Sequence, residues 1–279
     1  MDMRSARGLV TIAVATAFAC GGAGEALDPV EPGPGATTET VPPSVPLAAV
    51  HPGEKMRFEV SLAGVLAGEA SFATGDFGER DGRPTVVLSS SIRSAGALAL
   101  VKDIRDEATT VLAIDGLEPL STTATVKANP RDYTAETRFV DRVAEIEFRP
   151  AKGPTQQLRY DFAGQVAHDA HSAMATLRVW QAPTGTTQTM WVLGGRRIWK
   201  VELTLGPTEV IHTFAGNQPA IRLDGRATRA HANLTVDPSR PPRTFSVWLS
   251  DDADRVPFRV VAATELGDVL IEMVEYSRP

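Results

Sequence analysis

Cysteine is almost missing from this sequence, with one in 279 residues. A single thiol makes no intrachain disulfide and no cysteine-cluster metal site, so the fold has to rest on its core. Aromatic residues are sparse at 6%. Basic charge is in deficit: 28 Lys and Arg stand against 34 Asp and Glu, a net of −6. That balance leaves no basic footprint for nucleic acid. No apolar run reaches the about 18 residues that mark a bilayer-spanning helix. A phosphate-cradling glycine loop, a dinucleotide fingerprint and a Gly-x-Ser-x-Gly elbow are all missing. What is present is ordinary for a globular chain, with 43% hydrophobic and 22% charged residues. The 20 prolines and 23 glycines lean toward turns and β-structure.

The first twenty residues read as an address. Arg4 and Arg7 precede an apolar run from Leu9 to Phe18, then come Ala19, Cys20 and two glycines. This is the order of a secretory signal peptide. The run is about half of what a spanning helix needs. Ala17-Phe18-Ala19-Cys20 resembles the lipobox of bacterial lipoproteins. The resemblance implies that Cys20 is acylated and becomes the N-terminus of the mature protein, attached to the membrane by its lipid. Gly21, rather than Asp, after Cys20 implies sorting to the outer membrane, facing the periplasm. The alternative is an ordinary signal peptide cut near Ala19, with Cys20 a free thiol and the protein exported. Residues 20–52 read as a tether. Pro29, Pro32, Pro34, Pro42, Pro43, Pro46 and Pro52 stiffen the segment after Cys20, its charges (Glu25, Asp28, Glu31, Glu39) are all acidic, and it has no aromatic residue. Such a composition does not bury enough surface to fold.

Residues 53–279 read as one all-β domain, mainly antiparallel. Met56, Phe58, Val60 and Leu62 alternate with polar residues, and Phe245, Val247 and Leu249 alternate with Ser246 and Trp248. A similar short run spans Val143 to Phe148. In Val269–Val274 both phases are partly apolar, which predicts that both faces of that strand are covered. Asp81-Gly82, Asp115-Gly116, Asn129-Pro130 and Gly194-Gly195 mark reversals. About a dozen strands joined by short turns predict a meander curled into a barrel, half-barrel or sandwich. One amphipathic helix is predicted near 169–181. Ala170, Ala173, Met174, Leu177 and Trp180 fall at helical spacing, Asp169 is the N-cap and Gly185 lies past the end. The helix is placed to plug or cover one opening of the sheet. Ala95 to Val101 is a weaker helical candidate.

Three stretches resemble the uncharacterised bacterial family called domain of unknown function 3108. The first is Gly53-Glu54-Lys55-Met56-Arg57-Phe58-Glu59-Val60 with Gly64 to Ala70. The second is Asp169 to Arg178. The third runs from Phe245 to Asp252, through Arg255-Val256-Pro257 and Glu265-Leu266-Gly267, to a last strand ending at Tyr276. The resemblance implies an exported β-rich protein without an assigned activity, so it carries no catalytic residue onto this chain. The expected shape is also similar to the half-barrels that carry lipoproteins across the periplasm, an analogy of fold alone.

Four groups of residues are candidates for chemistry. His168 and His171, with Asp169 between them, have the spacing of two metal ligands on a helix, and His212 or His231 would supply a third. Their plain alternative is decoration of a capped helix N-terminus. Asp251, Asp252 and Asp254 form an acidic turn that offers oxygens to Ca²⁺, or a solvated hairpin tip with Arg255 as its local counter-charge. Trp180, Trp191, Trp199 and Trp248 are rigid amphipathic rings suited to line an apolar ligand cavity, or simply to fill a β core. Ser, His and Asp are plentiful, but their order picks out no triad, and a carboxylate pair for glycoside hydrolysis is a matter of space rather than sequence. The reading these features support is a non-enzymatic envelope lipoprotein needing no metal or cofactor. It holds to the membrane through Cys20 and binds a lipid-like ligand or an envelope protein. An assembly role without a small ligand is the alternative, and a hydrolase of envelope polymers a minor one.

Overall fold

Period-two burial builds the first strand. In β1 (Lys55–Leu62), Met56, Phe58 and Val60 are buried while Lys55, Arg57 and Glu59 are exposed, the pattern of a strand with one dry face. The structure, a computed structural model, describes residues 50–279 apart from residue 265. The stretches read as leader and tether, with Cys20, lie outside the described residues up to residue 49. From β1 the chain continues through β2 (Val65–Arg80), β3 (Arg83–Ser94), the one-turn helix α1 (Gly96–Ala99), β4 (Arg105–Ala113), β5 (Glu118–Lys127), β6 (Tyr133–Val140), β7 (Val143–Pro150) and β8 (Gln156–Asp161). A two-residue β9 (Ala167–His168) leads into α2 (Ala170–Val179). Then follow β10 (Thr187–Gly194), β11 (Arg197–Thr213), β12 (Gly216–Ala230), β13 (Arg243–Ser250), β14 (Pro257–Thr264) and β15 (Gly267–Ser277).

Among the described residues all fifteen strands join one sheet, in the order β8-β7-β6-β5-β4-β3-β2-β1-β15-β14-β13-β12-β11-β10-β9. Each half is an antiparallel meander, and β1 pairs antiparallel with β15, so the two halves meet mid-sheet. The exception is β9, which joins β10 in parallel. Turn chemistry explains the hairpins. Asp81 and Gly82, both at positive φ (53° and 76°), connect the paired Arg80 and Arg83, the two-residue geometry that matches strand twist. Gly194 is the last ladder residue of β10, and Gly195 with Arg196 forms the tip.

The architecture is an open sheet curled on itself. Its two edges, β8 and β9, are consecutive in the chain, and side chains rather than a ladder close the gap. Tyr160 Oη on β8 donates to the Arg196 carbonyl (3.0 Å). The Arg196 guanidinium donates to Gln156 (2.9 Å) and lies 5.0 Å over the Phe148 ring. Beneath these contacts Ile146, Phe148 and Phe162 share a cluster with Trp191, Leu193 and Ile198 from the other end of the sheet.

Helix α2 fills the concave side. Ala173 and Leu177 pack in the main cluster with Met190, Val192, Leu203 and Val247, while Ala175 faces Val86, Leu88 and Leu112. Val50 joins that second group and is buried, so the folded contacts begin before Gly53, inside the stretch read as tether. The helix ends at Val179. Trp180 is its C-cap, with extended backbone (ψ 113°). Gly185 belongs instead to a turn whose N–H bonds the Leu205 carbonyl (2.7 Å). The weaker helical candidate at Ala95–Val101 survives only as α1. On β15 the covered-face expectation fails on one side. Val269, Ile271 and Met273 are buried, but Leu270 and Glu272 are half-buried and Val274 is exposed. That outer face carries the ladder Glu59–Glu272–Arg259, and the apolar residues among these charges have no second layer to meet.

Candidate functional site

Asp169 is the N-cap of α2, in a reciprocal capping box. Its Oδ1 accepts from the Ser172 N–H (2.8 Å), and its own N–H donates to Ser172 Oγ (2.9 Å). The carboxylate also reaches the sheet: the hydroxyls of Thr110 on β4 and Thr122 on β5 both donate to Oδ2, Thr122 at 2.8 Å. Since the Thr110 proton goes to Asp169, its oxygen accepts from His171 Nδ1–H (2.8 Å). That fixes the tautomer, so His171 Nε2 accepts from the Ser90 hydroxyl on β3 (2.8 Å). Burial pushes the Asp169 pKa up, but the His171 field and the Thr110 and Ser172 bonds outweigh it and hold the pKa low. Burial lowers the pKa of both histidines against the pull of Asp169, His168 to about 4. The resulting Ser90–His171–Thr110–Asp169 chain orders its protons. Ser90, however, lies mid-strand opposite Phe72 of β2 and Ala108 of β4. Its main chain serves the ladders on both sides.

The other end of α2 carries a different clamp. Arg178 forks onto Glu54 (2.7 and 2.8 Å) and donates from Nε to the Asp254 carbonyl (3.0 Å). The pair is buried, Glu54 completely (0% exposed) and Arg178 at 4%. Tyr276 Oη donates to Glu54 Oε1 (3.0 Å), and burial together with Glu54 pushes that phenol up to about 12. Gly53 sets up the turn into Glu54 at φ +76°, and a Cβ there would come within 2.5 Å of the Pro279 ring.

Between the clamps lies an apolar cavity of about 70 Å³. Met56, Phe58, Leu88 and Ile92 of the sheet face Met174 and Ala175 of the helix across it. A second cavity of about 30 Å³ sits beyond Met174, against Leu177, Met190, Leu203 and Phe245. Ala170, Met174 and Val260 line both. His171, Ser90, Arg178 and Thr74 are the polar side chains at the edge of the larger space whose bonding bears on it. Thr74 comes from the point on β2 where the ladder to β3 shifts register, and it is tied by main-chain bonds to Gly53 and Glu54 (3.0 and 2.9 Å).

The sequence profile of the family described as "Protein of unknown function (DUF3108)" matches residues 57–274. The chain belongs to this family. No curated protein matches it. Among solved structures, the DUF3108 chain is similar to a β-barrel-like protein of family DUF1849 from Brucella abortus, at 8% identity and TM-score 0.49, with 82% of this chain and 98% of that one covered. It is also similar to a protein with YmcC-like fold from Bacteroides fragilis, at 12% identity and TM-score 0.40, covering 82% and 97%. The three stretches that carry the family resemblance meet in space. Glu54 comes from the first, Arg178 ends the second and Tyr276 ends the third, and all three residues form the one buried clamp.

Among the residues predicted to act, the DUF3108 fold separates the four indoles. Trp180 and Trp199 belong to the main core cluster, Trp191 to the cluster at the sheet edges and Trp248 to a small outer one. None of them lines either cavity. Trp191 donates to Gln165 (2.8 Å), Trp248 donates to Glu209, and Arg243 lies over Trp199. His168 and His171 bond to Ser172, Thr110 and Ser90, while His212 is exposed beside Asn217 (3.2 Å). Among the described residues no group of three or more His, Cys, Asp or Glu is placed to hold a metal. The acidic turn also diverges. Asp251 accepts from Thr208, Asp252 from Ser250 and two turn N–H groups, and Asp254 meets His51 and Arg278. Its counter-charge is therefore Arg278 rather than Arg255, and His51 is hydrogen-bonded to Asp254 beside it. Sequence reasoning passed over Glu54, Arg178 and Thr74. The available signal was an ionisable residue in an otherwise apolar helix face: Arg178 comes three residues after Ala175 and four after Met174.

Proposed function

We propose that this protein is a non-enzymatic envelope lipoprotein, held at the outer membrane by acylated Cys20 and facing the periplasm, whose curled sheet binds an apolar or amphipathic ligand under α2. The carrying observation is the cavity of about 70 Å³ walled by Met56, Phe58, Leu88, Ile92 and Met174. Mostly apolar walls with a few fixed polar groups are the usual lining of a ligand pocket. The helix roof is held by polar contacts at both ends, on either side of the cavity. The lipobox-like Ala17-Phe18-Ala19-Cys20 and the acidic, proline-rich segment after it support a tethered domain.

Native mass spectrometry of the protein, purified without detergent, tests the reading. A reproducible added mass that extracts into organic solvent is the expected result; a clean apo mass from several preparations overturns it. For the anchor, Cys20→Ser is expected to block acyl processing and alter membrane association, and signal processing and membrane association both left unchanged overturn that part.

One observation favours assembly through protein contacts as a second reading. Val65 and Leu66 at the β1–β2 tip, and Leu100 and Val101 after α1, are exposed apolar residues, Leu100 at 87%. α1 packs against β2, so they share one rim. Replacing Leu100 and Val101 by Ser is expected to leave ligand binding intact, and the assembly reading requires the loss of a co-purifying envelope protein.

A further inference from the structure

The polar groups around the larger cavity can be accounted for one by one. Arg178 has Nε and both terminal nitrogens engaged, by Glu54 and the Asp254 carbonyl. Both ring nitrogens of His171 are engaged, by Thr110 and Ser90. Ser71 bonds Ser91 across the strands. Thr74 is the exception: it is 4% exposed, and its Oγ1 has no hydrogen-bond partner. A buried hydroxyl without a partner has given up its water and received nothing in return. Water is a poor remedy, because a buried water keeps two to four polar partners and the walls beside Thr74 are Met56, Phe72, Leu88 and other apolar groups.

We infer that the cavity takes an aliphatic chain bearing one uncharged hydrogen-bonding group, an ester carbonyl or a hydroxyl, which Thr74 Oγ1 meets. The inference rests on the binding reading above and names its ligand class. A carboxylate or phosphate would enter a wall whose only cation, Arg178, is already neutralised by a fully buried Glu54. Freeing Arg178 would strand Glu54, and burying an unpaired charge is the costlier outcome. Met174 sets the chain length. It stands between the two cavities, and an unbranched thioether side chain swings more readily than a branched one. When it moves aside the two spaces become one run along the helix.

The test uses the full chain carrying Cys20→Ser, so that its own lipid does not compete. Displacement of the neutral dye N-phenyl-1-naphthylamine is measured with 1-decanol, methyl decanoate, sodium decanoate and decyl phosphate at mildly alkaline pH. The alcohol and ester are expected to displace it at least tenfold more effectively than the two anions. Thr74→Val should weaken the alcohol by roughly three- to tenfold and raise the melting temperature of the ligand-free protein, because it removes the orphan hydroxyl. Thr74→Ser keeps the hydroxyl and should keep the preference. Met174→Ala should shift the best binder to a longer chain. Equal binding of all four compounds, tighter binding of an anion, or an unchanged alcohol affinity in Thr74→Val each overturns this inference while leaving the binding reading in place. Failure of all four compounds to displace a bound dye, or of the dye to bind at all, removes both.

Discussion

The two ends of α2 are held by opposite means. At the C-terminal end a full positive charge, Arg178, is buried against a full negative one, Glu54. At the N-terminal end a single carboxylate, Asp169, is spread over hydroxyls and a main-chain N–H. A buried ion pair is only as good as both partners, since losing one leaves the other uncompensated. A carboxylate with several neutral donors loses its support piecemeal. The helix is thus pinned all-or-none at one end and gradually at the other, with the apolar cavity between.

The largest effect should come from splitting the ion pair. Arg178→Met strands Glu54 and is expected to cost about 3–5 kcal/mol in urea unfolding. Adding Glu54→Leu to it should recover most of that, and a double variant no better than the single would show that the pair was not the coupled unit. A contrast between two buried carboxylates comes next. Asp106 on β4 points to the same inner face as Thr110, and burial, helped by Glu107, pushes its pKa up to about 6. Asp169, with its donors, is held low. Because the folded pKa of Asp106 is raised, the stability it allows is full below about pH 4 and lost as pH rises through about 6. His168 works the other way: its folded pKa of about 4 means stability present above about 6.5 and lost as pH falls toward 4. The two oppose each other between about pH 4 and 6. Asp106→Asn should therefore add on the order of 3 kcal/mol above pH 6 and uncover a stability that climbs with pH through that window. Urea midpoints at about pH 4, 5 and 7 check this, and a pH profile parallel to that of the parent would refute it.

Asp169→Ala should cost about 2 kcal/mol, the upper range for an N-cap. Asp169→Asn should cost less, since its amide oxygen keeps part of the cap. If Asp169→Ala proved as damaging as Arg178→Met, the gradual picture of that end would fail. The smallest effect belongs to the outer face. Arg57 and Glu275 pair at 2.7 Å but are about 60% exposed, so Arg57→Ala should move stability by less than about 0.5 kcal/mol.

Much of this architecture was legible beforehand because its signals are local. The alternation in β1 and β13, the Asp81-Gly82 reversal and the Asp169 cap each depend on residues within a few positions of one another. Each recurs in the structure where it was read. The site was legible only in part. The tryptophans stand out by type, and type does not say which neighbours a ring will meet: Trp248 and Trp199 lie in separate clusters. Thr74 has no mark in the sequence that separates it from the other threonines. Its hydroxyl is isolated because the fold sets it on the wall of the apolar cavity.

From the sequence alone came the β class, the hairpins, the capped inner helix and the family, because short-range pattern and turn chemistry decide these. Only the tertiary structure decided that Glu54, Arg178 and Tyr276, more than a hundred residues apart along the chain in the widest cases, close one clamp. It also decided that an apolar space with a single unsatisfied hydroxyl lies beside them. The physical reason is that a buried charge or hydroxyl is defined by its partners, and the curl and register of a fifteen-stranded sheet, not local sequence, choose those partners.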